Sequence, residues 1–262
     1  MSQLLIGVVF AVGISLFSHR MRFLTADGAV AQCILGVILL GIGGWQWTVP
    51  MLLFFLSSSI LSRIKKSKHP DIESRFSKTS TRDWVQVVAN GGIAGGLVLV
   101  NFFTPDPLWY AAYAGSVAAV TADTWGTELG TLSRKRPLLI TTLRPVDTGT
   151  SGAVSLAGLA AGVGGALLIF LATMMWYQPG YPSGFIPVVA GGFVGSLADS
   201  LMGATLQVQF RCGVCGMKVE KETHCDLATV RSGGFVPVTN DVVNFLASAV
   251  GGIAACLLFL VF

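Results

Sequence analysis

Every lysine and arginine of this chain, 17 in all, falls in one of four gaps between apolar stretches, and those gaps alternate along the sequence. Arg20 and Arg22 lie in the first gap. Arg63, Lys65, Lys66, Lys68, Arg75, Lys78 and Arg82 lie in the second, Arg134, Lys135, Arg136 and Arg144 in the third, and Arg211, Lys218, Lys221 and Arg231 in the fourth. The intervening connections "WQW", "TPDP" and "YQPGYPSG" carry none. A helix crosses a bilayer in about 20 apolar residues, fewer where its ends are anchored. Eight stretches are candidates: 2–18, 28–44, 47–61, 84–103, 108–122, 152–176, 184–206 and 242–262. Trp109, Tyr110 and Tyr113 suggest an interfacial aromatic belt at the start of the short fifth stretch.

Composition agrees: 53% of residues are hydrophobic and 11% charged, against roughly 25% charged in globular domains. The expected fold is an all-α, polytopic helical bundle of about eight transmembrane helices, or as few as six if a hairpin is re-entrant. It forms one integral membrane domain over 1–262, with a loop at 207–239 inserted before the last helix. The positive-inside rule puts the basic gaps in the cytoplasm and both termini outside, in what reads as a bacterial inner (plasma) membrane. Arg20 and Arg22 follow the first stretch rather than precede it, so that stretch reads as a retained helix.

The acids follow the same division. Of 13, only Asp106 falls on the uncharged side. A carboxylate in lipid costs about 2.5–3.5 kcal/mol on insertion scales, so carboxylates near the membrane are expected to face a protein cavity open to the cytoplasm. "AVTADTWGTELG" (119–130) brings Asp123 and Glu128 to the end of the fifth stretch, and "GSLADSLMGATLQ" (195–207) brings Asp199 to the end of the seventh. Around them gather Gln86 and Asn90, four apart on one helical face, the segment "TTLRPVDTGTSGAVS", and "TNDVVNFLAS" with Asn240, Asp241 and Asn244. Each even-numbered helix starts at the basic end, where its N-terminal N–H groups suit an anion. Donors, hydroxyls and carboxylates with no dedicated histidine suit phosphate and Mg²⁺, an ion that takes oxygen ligands and shares them with phosphates. The blander alternatives are helix caps, small-residue packing and interhelical hydrogen bonds. The two Ala-Asp-hydroxyl motifs also hint at an internal repeat, which keeps a transporter in view.

"FRCGVCGMKVEKETHCD" (210–226) holds Cys212, Cys215, His224 and Cys225 with the spacing C-x₂-C-x₈-H-C. That is close to a zinc knuckle, favouring a structural Zn²⁺ over surface thiols. The adjacency of His224 and Cys225 is the geometric difficulty, and a disulfide is the weaker reading in a cytoplasmic loop. Cys33 and Cys256 read as small apolar residues within helices.

The motifs "ADTWGTELG", "RPLLITTLRPVDTGTSGAVSLAG", "GSLADSLMGATLQ", the Cys/His cluster and "TNDVVNFLAS" resemble the integral-membrane family that includes transmembrane protein 19 and the phytyl-phosphate kinase of tocopherol synthesis. The resemblance runs from about Asp27 to the C-terminus. It implies transfer of a phosphoryl group to a prenyl monophosphate, such as phytyl or geranylgeranyl phosphate. The implied donor is a nucleoside triphosphate, CTP first among them, as in CTP-dependent polyprenol kinases. A looser similarity to the polyprenol kinase and phosphatidate cytidylyltransferase group implies metal binding by Asp123 and phosphate binding by Lys135 with the segment Thr148 to Ser155.

On this reading Asp123, Glu128, Asp199 and Lys135 are catalytic, and Asp123, Asp199 and Asp241 hold Mg²⁺. Arg134, Arg136, Arg144, Thr148, Thr150, Ser151, Gly152, Ser155, Gln86, Asn90, Asn240 and Asn244 contact phosphate or substrate. The chain has no G-x-x-x-x-G-K-[ST] segment, excluding a Walker-type site. A lipid-phosphate carrier and a CTP-dependent cytidylyltransferase are the competing functions. Membrane lipids are expected partners and nucleic acid is not; the oligomeric state is left open.

Overall fold

The computed structural model describes residues 2–68, 81–133, 135–176 and 184–261. Among them are eight long helices: α1 Ser2–Arg20, α2 Ala26–Gly36, α3 Trp45–Lys68, α4 Trp84–Phe103, α5 Pro107–Gly130, α6 Leu156–Thr173, α7 Phe185–Thr205 and α8 Asn240–Val261. A π-helical stretch, Val37–Gly43, continues α2. Seven of the eight, α2 counted with that stretch, are long and apolar enough to cross a membrane. The chain is thus a polytopic helical membrane protein.

The eighth, α5, is the axis of the bundle. Every residue from Ala111 to Ala122 is buried, mostly alanine, glycine and small hydroxyls. With no water to expel, helices associate in lipid through close contact of small residues. On α6, Gly158, Gly162 and Gly165 recur at helical spacing and face the backbone of α5. A Cβ there would lie 2.9 Å from Gly126 O, 3.1 Å from Ala122 O and 3.0 Å from Thr121 O, respectively. On α7, a Cβ at Gly195 would lie 2.4 Å from the Ala119 Cβ.

At the start of α5, Tyr113 faces the protein interior rather than a membrane interface. Tyr113 is fully buried, and its hydroxyl donates to the Trp47 carbonyl. Trp47, itself buried, stacks edge-on against Tyr110 and Tyr113, at centroid distances of 5.1 and 4.8 Å. These aromatics lock α5 to α3 because the central helix has no lipid face to offer.

The α2–α3 junction is a single residue, Gly44, at φ +87°, a conformation that favours glycine. α5 also runs two turns past the expected end at residue 122, so Asp123 and Glu128 lie within it rather than at its terminus. Conversely, α6 starts at Leu156, with Ser155 as its N-cap accepting from Gly158 N at 3.1 Å. The preceding residues form a short antiparallel pair, β1 Leu138–Leu139 with β2 Ala153–Val154. Between α7 and α8 sits a small lobe. It comprises a three-stranded sheet ordered β4-β3-β7 (β3 Gln209–Arg211, β4 Lys218–Val219, β7 Val230–Gly233) and a hairpin of β5 Thr223–His224 with β6 Leu227–Ala228.

Candidate functional site

The ends of α3 to α8 and the lobe enclose a polar cavity of about 240 Å³. Asp123 on α5 and Asp199 on α7 both line it, and their carboxyl groups lie within interaction distance of each other. Two carboxylates in contact repel unless a proton or a cation lies between them. Asp199 Oδ2 is moreover buried with no hydrogen-bond partner among the described residues. Thr124, Thr127, Ser196 and Ser200 add hydroxyls to the same walls. This all-oxygen donor set, with one donor unsatisfied, fits Mg²⁺.

Glu128 is tied down. It accepts from Ser62 Oγ at 2.8 Å and pairs with Lys65 Nζ at 2.8 Å, both acid and base being buried. It thus binds α5 to α3 and brings Lys65 to the cavity wall. Arg82 is the second wall cation. Desolvation holds its guanidinium down to about 10, with the Glu128 charge opposing, so it stays positive at neutral pH. The residue just before the α4 N-cap, it also bridges α2 and α4 through its backbone, accepting from Thr25 N at 3.0 Å and donating to Phe23 O at 2.9 Å.

Gln86 and Asn90 line the cavity too, but with part of their polarity spent locally. Gln86 Oε1 accepts from Asp83 N at 3.2 Å in a capping box, and Asn90 Nδ2 donates to Gln86 O at 2.9 Å. Thr148, Thr150, Ser151, Gly152 and Ser155 form one wall. Thr150 Oγ1 donates to Asp147 O at 2.8 Å, folding the segment on itself. Gly152 combines φ +77° with an approach to Ala204 that would put a Cβ 2.4 Å from its Cβ, so only glycine fits. Asn240 and Asn244 line the site from the first turns of α8.

Several expected residues lie elsewhere. Lys135, Arg136 and Arg144 are exposed and absent from the cavity wall; Arg134 lies outside the described residues. The run lies between Thr131 and Pro137, which do line the cavity, but the side chains of Lys135 and Arg136 are exposed to solvent. Among the described residues, the cations facing the cavity are Lys65 and Arg82 instead. Asp241 is buried but turned off the cavity face, which on α8 belongs to Asn240 and Asn244, four apart. The start of α2 abuts α4 without joining the wall.

Lys65, Arg82, Gln207 and Glu220 were not singled out from the sequence. Glu220 is the surprise. It follows β4 in the lobe and reaches the cavity, where its Oε1 accepts from Ser151 Oγ at 2.9 Å and Gln207 Nε2 at 2.7 Å. In the same lobe the ligand atoms of Cys212, Cys215, His224 and Cys225 all lie within 4.8 Å of one another. Backbone N–H of Cys215 leads the interactions that hold the Cys212 thiol down to about 6, followed by the His224 side chain.

A second hollow, of about 80 Å³, opens among α1 to α4 and is apolar, lined by Phe10, Ile14, Leu35, Leu39, Met51 and Phe54. It shares Arg82, Gln86 and Asn90 with the polar cavity, so the two meet at those residues.

No solved structure matches the chain. Among curated proteins it is similar to uncharacterized membrane protein MJ0933 of Methanocaldococcus jannaschii, 32% identical over 98% of this chain and 94% of that one. It is also similar to Protein PGR of Arabidopsis thaliana, 30% identical over 94% and 92% of the two chains. Protein VTE6, chloroplastic, of the same plant is 25% identical over 90% of this chain and 65% of its own. The model of integral membrane protein DUF92 matches residues 9–252, nearly the whole chain. The chain belongs to that integral membrane family.

Proposed function

We propose that this protein is a membrane isoprenoid-phosphate kinase, moving the γ-phosphoryl group of a nucleoside triphosphate, CTP first, onto a prenyl monophosphate such as phytyl or geranylgeranyl phosphate. The observation that carries this reading is the junction at Arg82, Gln86 and Asn90. There a carboxylate-lined polar cavity meets an apolar groove between helices, as an amphiphile with an anionic head requires. The motif resemblance to the phytyl-phosphate kinase family and the similarity to VTE6 support the same reading.

In the reaction an oxygen of the acceptor phosphate bonds to the γ-phosphorus as the bond to the β-phosphate bridging oxygen breaks, releasing the nucleoside diphosphate. The acceptor oxygen is already anionic, so no strong general base is needed; positioning and charge neutralisation do the work. Asp123 and Asp199 would hold Mg²⁺, which when bound offsets phosphate charge. Lys65, oriented by Glu128, and Arg82 face the same space. The Thr148 to Ser155 segment supplies hydroxyl and backbone donors. The basic end lies in the cytoplasm under the positive-inside rule, giving nucleotide access from that side.

The test is direct. Detergent-purified protein, Mg²⁺ and CTP are incubated with phytyl and geranylgeranyl monophosphate, and products are separated. Prenyl diphosphate with CDP is expected. Pyrophosphate with a cytidylylated lipid would instead indicate a cytidylyltransferase. Folded protein that turns over no nucleotide yet carries lipid phosphate across vesicles would indicate a carrier.

A further inference from the structure

We infer that Cys212, Cys215, His224 and Cys225 bind one zinc ion, and that this ion clasps Glu220 against the 148–152 wall of the cavity. Cys215 Sγ lies 3.5 Å and Cys225 Sγ 3.2 Å from the same His224 Nδ1. An imidazole nitrogen offers one lone pair or one proton, whereas a shared ion accounts for both contacts. Neighbouring ligand atoms around tetrahedral zinc sit about 3.5–3.8 Å apart, given bonds of about 2.0–2.3 Å. Gly216 turns the chain at φ +70° while its N–H donates to Cys212 O at 3.0 Å, which brings Cys212 and Cys215 onto one tight turn.

The backbone also resolves the adjacency of His224 and Cys225. Cys225 and Asp226 both adopt left-handed conformations, at φ +51° and +60°. They are the two-residue turn of the β5–β6 hairpin, where a type I′ turn requires positive φ at both positions, and this turn sets Cys225 Sγ 3.2 Å from His224 Nδ1. The lobe has little else to hold it: its strands are two to four residues long, and its buried apolar residues are Val208, Cys212 and Val219. Lobes with so small a core need a staple.

The link to the cavity follows from register. Cys212 and Cys215 form the turn between β3 and β4, with Phe210 opposite Val219, and Glu220 comes next. A rigid turn therefore sets where Glu220 meets Ser151 and Gln207.

The test reads metal and backbone protection, not turnover, so it stands apart from the kinase assay. Wild-type protein dialysed against metal-free buffer is expected to retain about one zinc per chain, and cobalt refilling to give a thiolate charge-transfer band. Cys215→Ser and Cys225→Ser are expected to lose both, while Glu220→Gln keeps the ion. Chelation of the wild-type is expected to speed amide exchange in peptides spanning 148–152 by about tenfold, with the membrane helices unchanged. Folded wild-type protein without stoichiometric metal or a cobalt band overturns the site. Metal that can be stripped without altering exchange at 148–152 overturns the clasp.

Discussion

Two regions build this cavity by opposite means. The helical bundle positions Asp123 and Asp199 through backbone contact: α5 is buried from Ala111 to Ala122 and met by glycines of α6 and α7. The lobe positions Glu220 with short strands, few buried apolar side chains and a cluster of sulfur and imidazole. Where lipid surrounds the helices, smallness orders the chain. Where water surrounds the lobe, the proposed zinc ligation would. The bundle's half of the site is therefore set by what side chains leave out, and the lobe's half by what they hold.

The sharpest probe of the bundle's half is Asp123→Asn, which keeps shape and removes charge. Turnover is expected to fall by about 10³-fold, roughly 4 kcal/mol, with unchanged helicity by circular dichroism; full activity would remove Asp123 from the chemistry. Next comes Glu128→Leu, which leaves Lys65 without its buried partner. A loss of about 3–5 kcal/mol is expected, read as lowered thermal stability in detergent, and Lys65→Met in the same chain is expected to restore part of it. Gly195→Val tests the contact principle itself. Its new Cβ meets Ala119 Cβ at 2.4 Å, and overpacking of this kind costs about 1–3 kcal/mol. Chelation, by contrast, is expected to leave the bundle's melting unaltered; if it collapses the bundle too, the two regions are one cooperative unit. The smallest effect is expected from Lys135→Ala and Arg144→Ala. Both residues are exposed and outside the cavity wall, so activity is expected to stay within about twofold of wild type.

The helical membrane fold was legible because apolar length is a local, repeated signal. The acid pair was legible for a related reason: an aspartate after alanine near the end of an apolar run has few low-cost positions, and two such runs end on the same side. The cations were not. Lys65 sits in a basic run whose orienting role masks any other, and nothing local says that Glu128, 63 residues later by their numbers, is its partner. Lys135 drew attention through the looser resemblance to polyprenol kinases, yet its side chain is exposed and off the cavity wall although Thr131 and Pro137 beside the run line it. Glu220 was hidden among cysteines that claimed the whole segment. Asp241 and Asn240 are neighbours in the chain but diverge by the helical rotation of one residue, a difference the motif cannot express.

Arg82 belongs to the walls of both hollows, and this hinge-like position separates two kinds of selectivity. Under the proposed function, an amphiphile anchored there would not have to abandon the bilayer to react: its hydrocarbon would stay lateral while only its terminus rose to meet the water-borne partner. Tail preference then becomes a property of distant side chains such as Phe10 and Leu35, open to retuning without disturbing the acidic centre.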